Sequence, residues 1–151
     1  MIARLVLRDG RAASVRRVSA GDEARLQEFV RALSWQSRTD RFFAPIRELT
    51  PSHLRAIVSA PGLSLAAFDA QDGIVALAQY AFAQPGATGE AEFAVVVAEG
   101  WRKDGLGEAL LGLLKRDAQR AGARRLIAVT RPDNLAMRGL AGKLGLQLAA
   151  G

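Results

Sequence analysis

Residues 91–107 read Ala91-Glu-Phe-Ala-Val-Val-Val-Ala-Glu-Gly-Trp-Arg-Lys-Asp-Gly-Leu-Gly107. An apolar run of strand composition passes into a glycine-bearing turn, after which Leu106, Leu110, Leu113, Leu114 and Ala118 recur at helical spacing. From Ala91 to Ala98 both alternating faces are apolar apart from Glu92, the pattern of a central strand covered on both sides. The leucine stripe predicts a helix from Gly105 to about Ala121, with Lys115, Arg116 and Arg120 outward near the negative end of its dipole. Leu126 to Thr130 then reads as a second strand, parallel to the first and reached by a right-handed crossover.

The flanks extend this β-α-β unit in both directions. Leu5-Val-Leu7 and Val15-Arg-Arg-Val18 around Asp9-Gly10 fit a hairpin, because Asp-Gly accepts the positive φ of tight turns. Ser19-Ala-Gly-Asp22 has capping-box spacing, and Leu26, Phe29, Val30 and Leu33 follow as a helix stripe. Thr50-Pro51 opens another helix through Leu54, Ile57 and Val58, which Pro61-Gly62 ends. Leu63–Phe68 and Ile74–Phe82 flank Gln71-Asp-Gly73 as a second hairpin, and the loop 84–89 leads into the opening stretch. A last helix near Leu135 to Leu144 stops at Gly145.

A chain of 151 residues, 50% hydrophobic and 24% charged, suits one globular domain over residues 1–151. The absence of cysteine excludes disulfides, thiolate zinc sites and a cysteine nucleophile. Arg4, Arg8 and Asp9 interrupt the N-terminal apolar run that a signal peptide requires, and no window approaches a membrane span, so a cytoplasmic location and no membrane partner are expected. The net charge of +6 is scattered and not interleaved with aromatics, which argues against a nucleic-acid platform and leaves an anionic small ligand or a solvated arginine-rich surface.

A strand ending in a glycine turn that opens a helix presents free backbone N–H groups at the positive end of a dipole, a site for an anion. Gly105 and Gly107 would let a phosphate approach the backbone, or would simply let helix and strand pack closely. The dinucleotide fingerprint fails because Leu110 stands at its third glycine, and the Walker Gly-Lys-Ser/Thr is absent.

Arg102-Lys-Asp-Gly105-Leu-Gly107 resembles the Arg/Gln-x-x-Gly-x-Gly/Ala signature of the GNAT acyltransferase superfamily. Asn134-Leu-Ala-Met-Arg-Gly-Leu-Ala-Gly-Lys-Leu-Gly-Leu146 is similar to the family's second motif, and residues from about 5 to 146 can be laid on the pattern. Ala91–Val97 and Leu33–Leu49 look like the protein lysine acetyltransferase branch. The resemblance implies an α/β (α+β) GNAT fold: a mixed central sheet, antiparallel N-terminal hairpins and a parallel β-α-β core that binds acetyl-CoA. Carried over by position, it implies that Val95, Val96 and Val97 pair with the pantetheine arm, and that Arg102, Lys103, Asp104, Gly105, Leu106, Gly107 and Glu108 cradle the pyrophosphate. Asn134 would lie beside the pantetheine or cap its helix, roles that are compatible. No metal is implied.

The same resemblance places a general base at Glu92, ten residues before Arg102. Sharing a strand face with Ala94, Val96 and Ala98, this carboxylate should be desolvated and so a stronger base; a solvated glutamate at the strand entrance is the plain alternative. Ala141 stands where many relatives carry a Tyr to protonate the leaving thiolate, and the sole tyrosine, Tyr80, reads as half-buried packing. His53 reads as surface, Trp101 as packing or a flank of the pantetheine, Phe42-Phe43 as anchors of the N-terminal helices, and Arg38 and Arg41 as a solvated helix face. Relatives usually continue through two further antiparallel strands, whereas Gln147–Gly151 leaves room for one short strand, so the acceptor side reads as open, truncated or completed by a second copy in a homodimer. The function implied is acetyl transfer to a primary amine, a protein lysine first; a small-molecule amine, or a non-catalytic acetyl-CoA-sensing or interaction module, are the alternatives.

Overall fold

A computed structural model describes residues 2–44, 46–59, 62–83 and 89–150. Loop residues 84–88 and Pro61, read above as turn elements, lie outside the described residues. Ala3–Val6 (β1) and Ala12–Arg17 (β2) form the first hairpin. Three helices follow, Glu23–Ala32 (α1), Trp35–Phe42 (α2) and Pro51–Ser59 (α3). Gly62–Phe68 (β3) and Ile74–Phe82 (β4) form the second hairpin. Glu90–Val97 (β5), Leu106–Arg120 (α4), Arg125–Thr130 (β6), Leu135–Leu144 (α5) and Gln147–Ala150 (β7) complete the chain order.

The seven strands form one mixed sheet in sequential order, antiparallel from β1 to β5 and parallel from β5 through β6 to β7. This is the α/β arrangement expected of the sequence. Each face is covered by an apolar cluster. One joins Phe93, Leu110, Leu111 and Leu114 beneath α4; the other joins Leu26, Val30, Leu77 and Val96 beneath α1. Burying a leucine or phenylalanine fully contributes about 1.5–3 kcal/mol, so these two clusters dominate what holds the helices to the sheet.

Tyr80 packs as the sequence suggests, though more deeply than half-buried, and the outward reading of Lys115 needs correction. Tyr80 is 3% exposed, because Phe82 and Phe93 pack on its ring and its hydroxyl donates to Asp117 Oδ2 at 2.5 Å across to α4. Lys115 is half-buried rather than solvated, since its Nζ reaches the Leu144 carbonyl at 2.7 Å and closes the last turn of α5. No helix of the described residues is long and apolar enough to cross a membrane.

The entry to α1 is locked electrostatically. The Arg16 guanidinium clamps both oxygens of Asp22 at 2.7 Å, and the Ser19 N–H donates to Oδ2 at 2.9 Å, as the capping spacing predicts. Asp22 is 1% exposed. The Arg16 bonds outweigh the effect of burial and hold its carboxyl at about 2. A carboxylate depressed in the folded state contributes stability that is full above its ordinary value, near 3.9, and is lost as pH falls toward about 2. Asp22→Asn should therefore lower the unfolding free energy by about 1–3 kcal/mol at pH 7 in urea titrations, with the gap to the parent closing as the pH is taken down to about 2.

Candidate functional site

The parallel ladder between β5 and β6 is short. Glu90–Phe93 pair with Arg125–Ala128, and the register ends there, whereas β4 continues to pair with β5 as far as Val97. The two strands part, and the backbone of Ala94–Val97 has no strand partner on the β6 side. Main-chain groups left this way must bond to water or to a ligand. The gap opens a groove of about 390 Å³, within the range of small-molecule sites. Its walls bring together Val95, Val96, Val97, Arg102, Lys103, residues 105–108 and Asn134.

At one end of the groove lies the first turn of α4. Gly105 caps this helix with φ +90°, and Lys103 also takes a left-handed backbone, φ +70°. The N–H groups of Leu106, Gly107 and Glu108 have no carbonyl partner within the helix and carry its positive dipole end. Both readings of Gly107 find support. A Cβ there would meet Leu140 Cδ1 at 3.4 Å and Val97 Cγ2 at 3.5 Å, so close packing is real, yet the residue also faces the groove. Asp104 is the member of the loop that lies off the groove wall; its carboxylate sits 3.7 Å from Arg11, whose guanidinium stacks over Trp101 at 4.0 Å. Trp101 itself packs on the core and borders the groove.

Arg8 belongs to this end too, and sequence reasoning missed it. Its guanidinium would lie 3.8 Å from a Cβ on Gly105, and its Nη1 donates to the Lys103 carbonyl at 3.5 Å. With Lys103 and Lys143 on the same walls, it adds cationic character to a site with free helix amides. The local pattern around Arg8 is that of a hairpin turn; only the sheet brings it 95 positions along the chain to Lys103.

A polar knot ties this loop to α2. Glu99 Oε1 accepts from the Ser34 N–H and the Ser37 hydroxyl, each at 2.8 Å. Burial alone would push the Glu99 carboxyl up, but these hydrogen bonds outweigh it and hold the group at about 2. Arg102 donates from Nε to the Val97 carbonyl at 2.9 Å and from Nη2 to Ser37 Oγ at 2.5 Å, so its guanidinium braces the groove wall against α2. Asn134 caps α5, its Oδ1 accepting from the Met137 N–H at 3.2 Å, and still borders the groove.

The opposite face of β5 carries Glu92 and Ala94. Glu92 pairs across β4 with Ala81, and Ala94 pairs with Gln79. The expectation that Glu92 is desolvated does not hold. The cluster beneath α1 takes in Val96 and Ala98 but stops short of Glu92, which is exposed. Arg41 departs from its expected solvated face in the other sense. It is half-buried, its Nη2 donates to Gln79 Oε1, and burial pulls the guanidinium down to about 10. Arg38 donates from Nη1 to the Leu33 carbonyl at 2.6 Å. His53 is half-buried and caps α3, with Nδ1 accepting from the Thr50 N–H at 3.1 Å and the ring beside Phe42. Ala141 is fully buried in the core. Among the described residues no group of three potential ligands is placed to hold a metal.

These donors suit an extended anion ending in a group that reaches the strand gap, which is the shape of an acyl-CoA. Residues 27–146 match the Acetyltransferase (GNAT) family. An acetyltransferase of Pseudomonas aeruginosa is 32% identical over 145 residues, which span 92% of this chain and 77% of the relative. Among solved structures, the GNAT domain of S. lividans PAT superposes with a TM-score of 0.87 at 31% identity, over 95% of this chain and 86% of that one. A cAMP-binding acyltransferase from Mycobacterium smegmatis gives 0.66 at 26% identity; this chain covers 42% of its length.

Gly107→Ala separates the two roles of that glycine. The added methyl finds ordinary contact distances and a helical backbone, so thermal stability should hold or rise by up to about 1 kcal/mol. If the turn cradles a phosphate, calorimetric affinity for acetyl-CoA should nonetheless fall about tenfold; an unchanged affinity would leave Gly107 a packing residue only.

Proposed function

Because the chain belongs to the GNAT family of acetyltransferases, enzymes that draw their acetyl group from acetyl-CoA, we propose that this single domain acetylates a primary amine, with a protein lysine as acceptor and Glu92 as general base. The observation that carries the reading is the parting of β5 from β6, which leaves an unpaired strand edge at Ala94–Val97 beside the N-terminus of α4. Val95, Val96 and Val97 would pair with the pantetheine arm as an added strand does, the amides of 103–108 would receive the pyrophosphate, and Asn134 would face the arm from β6's side.

A lysine amine has a reference pKa near 10.4 and is mostly protonated at neutral pH, so a group must take its proton. Of the two carboxylates on the face of β5 that carries Ala94, Glu90 pairs with Arg125, whereas Glu92 lies two residues from Ala94, and its exposure suits an acceptor carried on another protein's surface. As the proton passes to Glu92, the amine lone pair forms the new C–N bond. A backbone N–H near Val95, on the side of β5 that β6 leaves open, would donate to the charge that gathers on the carbonyl oxygen. The C–S bond then breaks with its electron pair on sulfur. With a buried Ala141 at the position of the family tyrosine, water would relay the second amine proton, released as the amide forms, to that thiolate, and a thiol of pKa near 8.5 is a tolerable leaving group.

Glu92→Gln removes the base while keeping shape. It should lower kcat by about 10²- to 10⁴-fold with a lysine peptide, leave acetyl-CoA affinity within about twofold, and flatten the rise of kcat/KM with pH that a carboxylate base produces. A variant of full activity would overturn the assignment of Glu92 without touching the donor site.

A further inference from the structure

Helix α2 delivers a second charged group to the strand gap. Arg41 is anchored on Gln79, whose amide nitrogen in turn donates to Ser64 Oγ at 3.0 Å, while Ser64 donates to the Ile57 carbonyl at 2.7 Å. Because Gln79 stands opposite Ala94, this relay fixes the guanidinium on the face of β5 that carries Glu92. Arg41 borders both the main groove and a small recess formed with Ala94, Val95, Thr130 and Asn134. Its Nε is buried without a hydrogen-bond partner, and among the described residues it makes no ion pair. The adjacent Asp40 is engaged elsewhere, accepting from Gln36 Nε2 at 2.9 Å.

A half-buried guanidinium whose Nε is buried without a partner, and which has no counter-ion among the described residues, is costly, and its fork matches a carboxylate. A plain acetyl group on an unadorned amine offers it nothing. We propose that Arg41 forms a carboxylate-binding subsite at the acyl end of the groove, filled by a carboxylate that the substrates bring, either on a dicarboxylic acyl chain or on a small amino-acid acceptor. Asp40, which borders the same groove and recess, complements the ammonium of the acceptor, so the wall presents both signs of charge to a substrate pair that carries both. The subsite rests on the reading that the groove holds an acyl-CoA.

Two matched pairs of ligands isolate the carboxylate. Succinyl-CoA and butyryl-CoA differ in a terminal carboxylate against a methyl, as do β-alanine and propylamine offered with acetyl-CoA. Calorimetric binding of the two thioesters, and kcat/KM for both pairs, should show a preference of about tenfold or more for the carboxylate in one pair. Preference for succinyl-CoA places the carboxylate on the acyl chain; preference for β-alanine places it on the acceptor. Arg41→Met should erase that preference while leaving affinity for CoA unchanged, and Arg41→Lys should retain part of it. Circular-dichroism melts check that the variants fold, and Arg41→Gln, which can still bond Gln79, substitutes if the Met variant does not. No preference in either pair with the parent protein, or a preference that survives in a folded Arg41→Met or Arg41→Gln, overturns the subsite. Failure to bind CoA, acetyl-CoA and both longer thioesters alike would instead overturn the donor-site reading, and the subsite with it.

Discussion

After Phe93 and Ala128 the ladder between β5 and β6 stops, while each strand keeps its other neighbour, β4 on one side and β7 on the other. The sheet therefore cannot close the gap by shifting either strand. On the β6 side the main chain of Ala94–Val97 has no strand partner, and apart from the Val97 carbonyl, which takes Arg102, its groups turned that way are open to water or a ligand. The groove, the position of the α4 amides at one end and the approach of α2 at the other all follow from that parting.

Covering helices give the gap its chemistry. On one face α4 is held by leucines whose burial is complete, which fixes the first-turn amides relative to β5 without any side-chain ligand. On the other, α2 has little apolar surface of its own, and it is placed by polar contacts: Ser34 and Ser37 on Glu99, Arg102 on Ser37, Arg41 on Gln79. The loop before α4 and helix α2 thus share Glu99 and Arg102 as a common brace. A helix set by hydrogen bonds has fewer alternatives in orientation than one set by non-directional apolar contact, which holds Arg41 at a fixed level of the sheet, on Gln79.

Legibility along the chain follows the range of the forces involved. The β-α-β unit, both hairpins, the Ser19 capping box and the Gly145 stop all depend on residues within a few positions of one another, and the structure places each as the spacing predicts. Helix α2 escaped periodicity because its polar residues, not an apolar stripe, dock it. Lys115 departs from its outward reading, and Tyr80 lies deeper than half-buried, for a related reason: each has a partner, Leu144 or Asp117, that only packing of α4 brings within reach.

Local order in the sequence was sufficient for the strand–turn–helix pattern, for the free amides at its turn, and for the family to which the chain belongs, since these arise from backbone geometry and short-range spacing. Exposure and partnership were decided by the tertiary structure alone. Glu92 lies open to solvent although its strand neighbours are apolar, because the covering layer ends before it. Arg41 is half-buried, with its Nε out of solvent, although its helix is polar, and Arg8 reaches the loop before α4 from the first hairpin. Electrostatic environment is set by whatever surrounds a group in three dimensions, and residues far along the chain supply most of those surroundings.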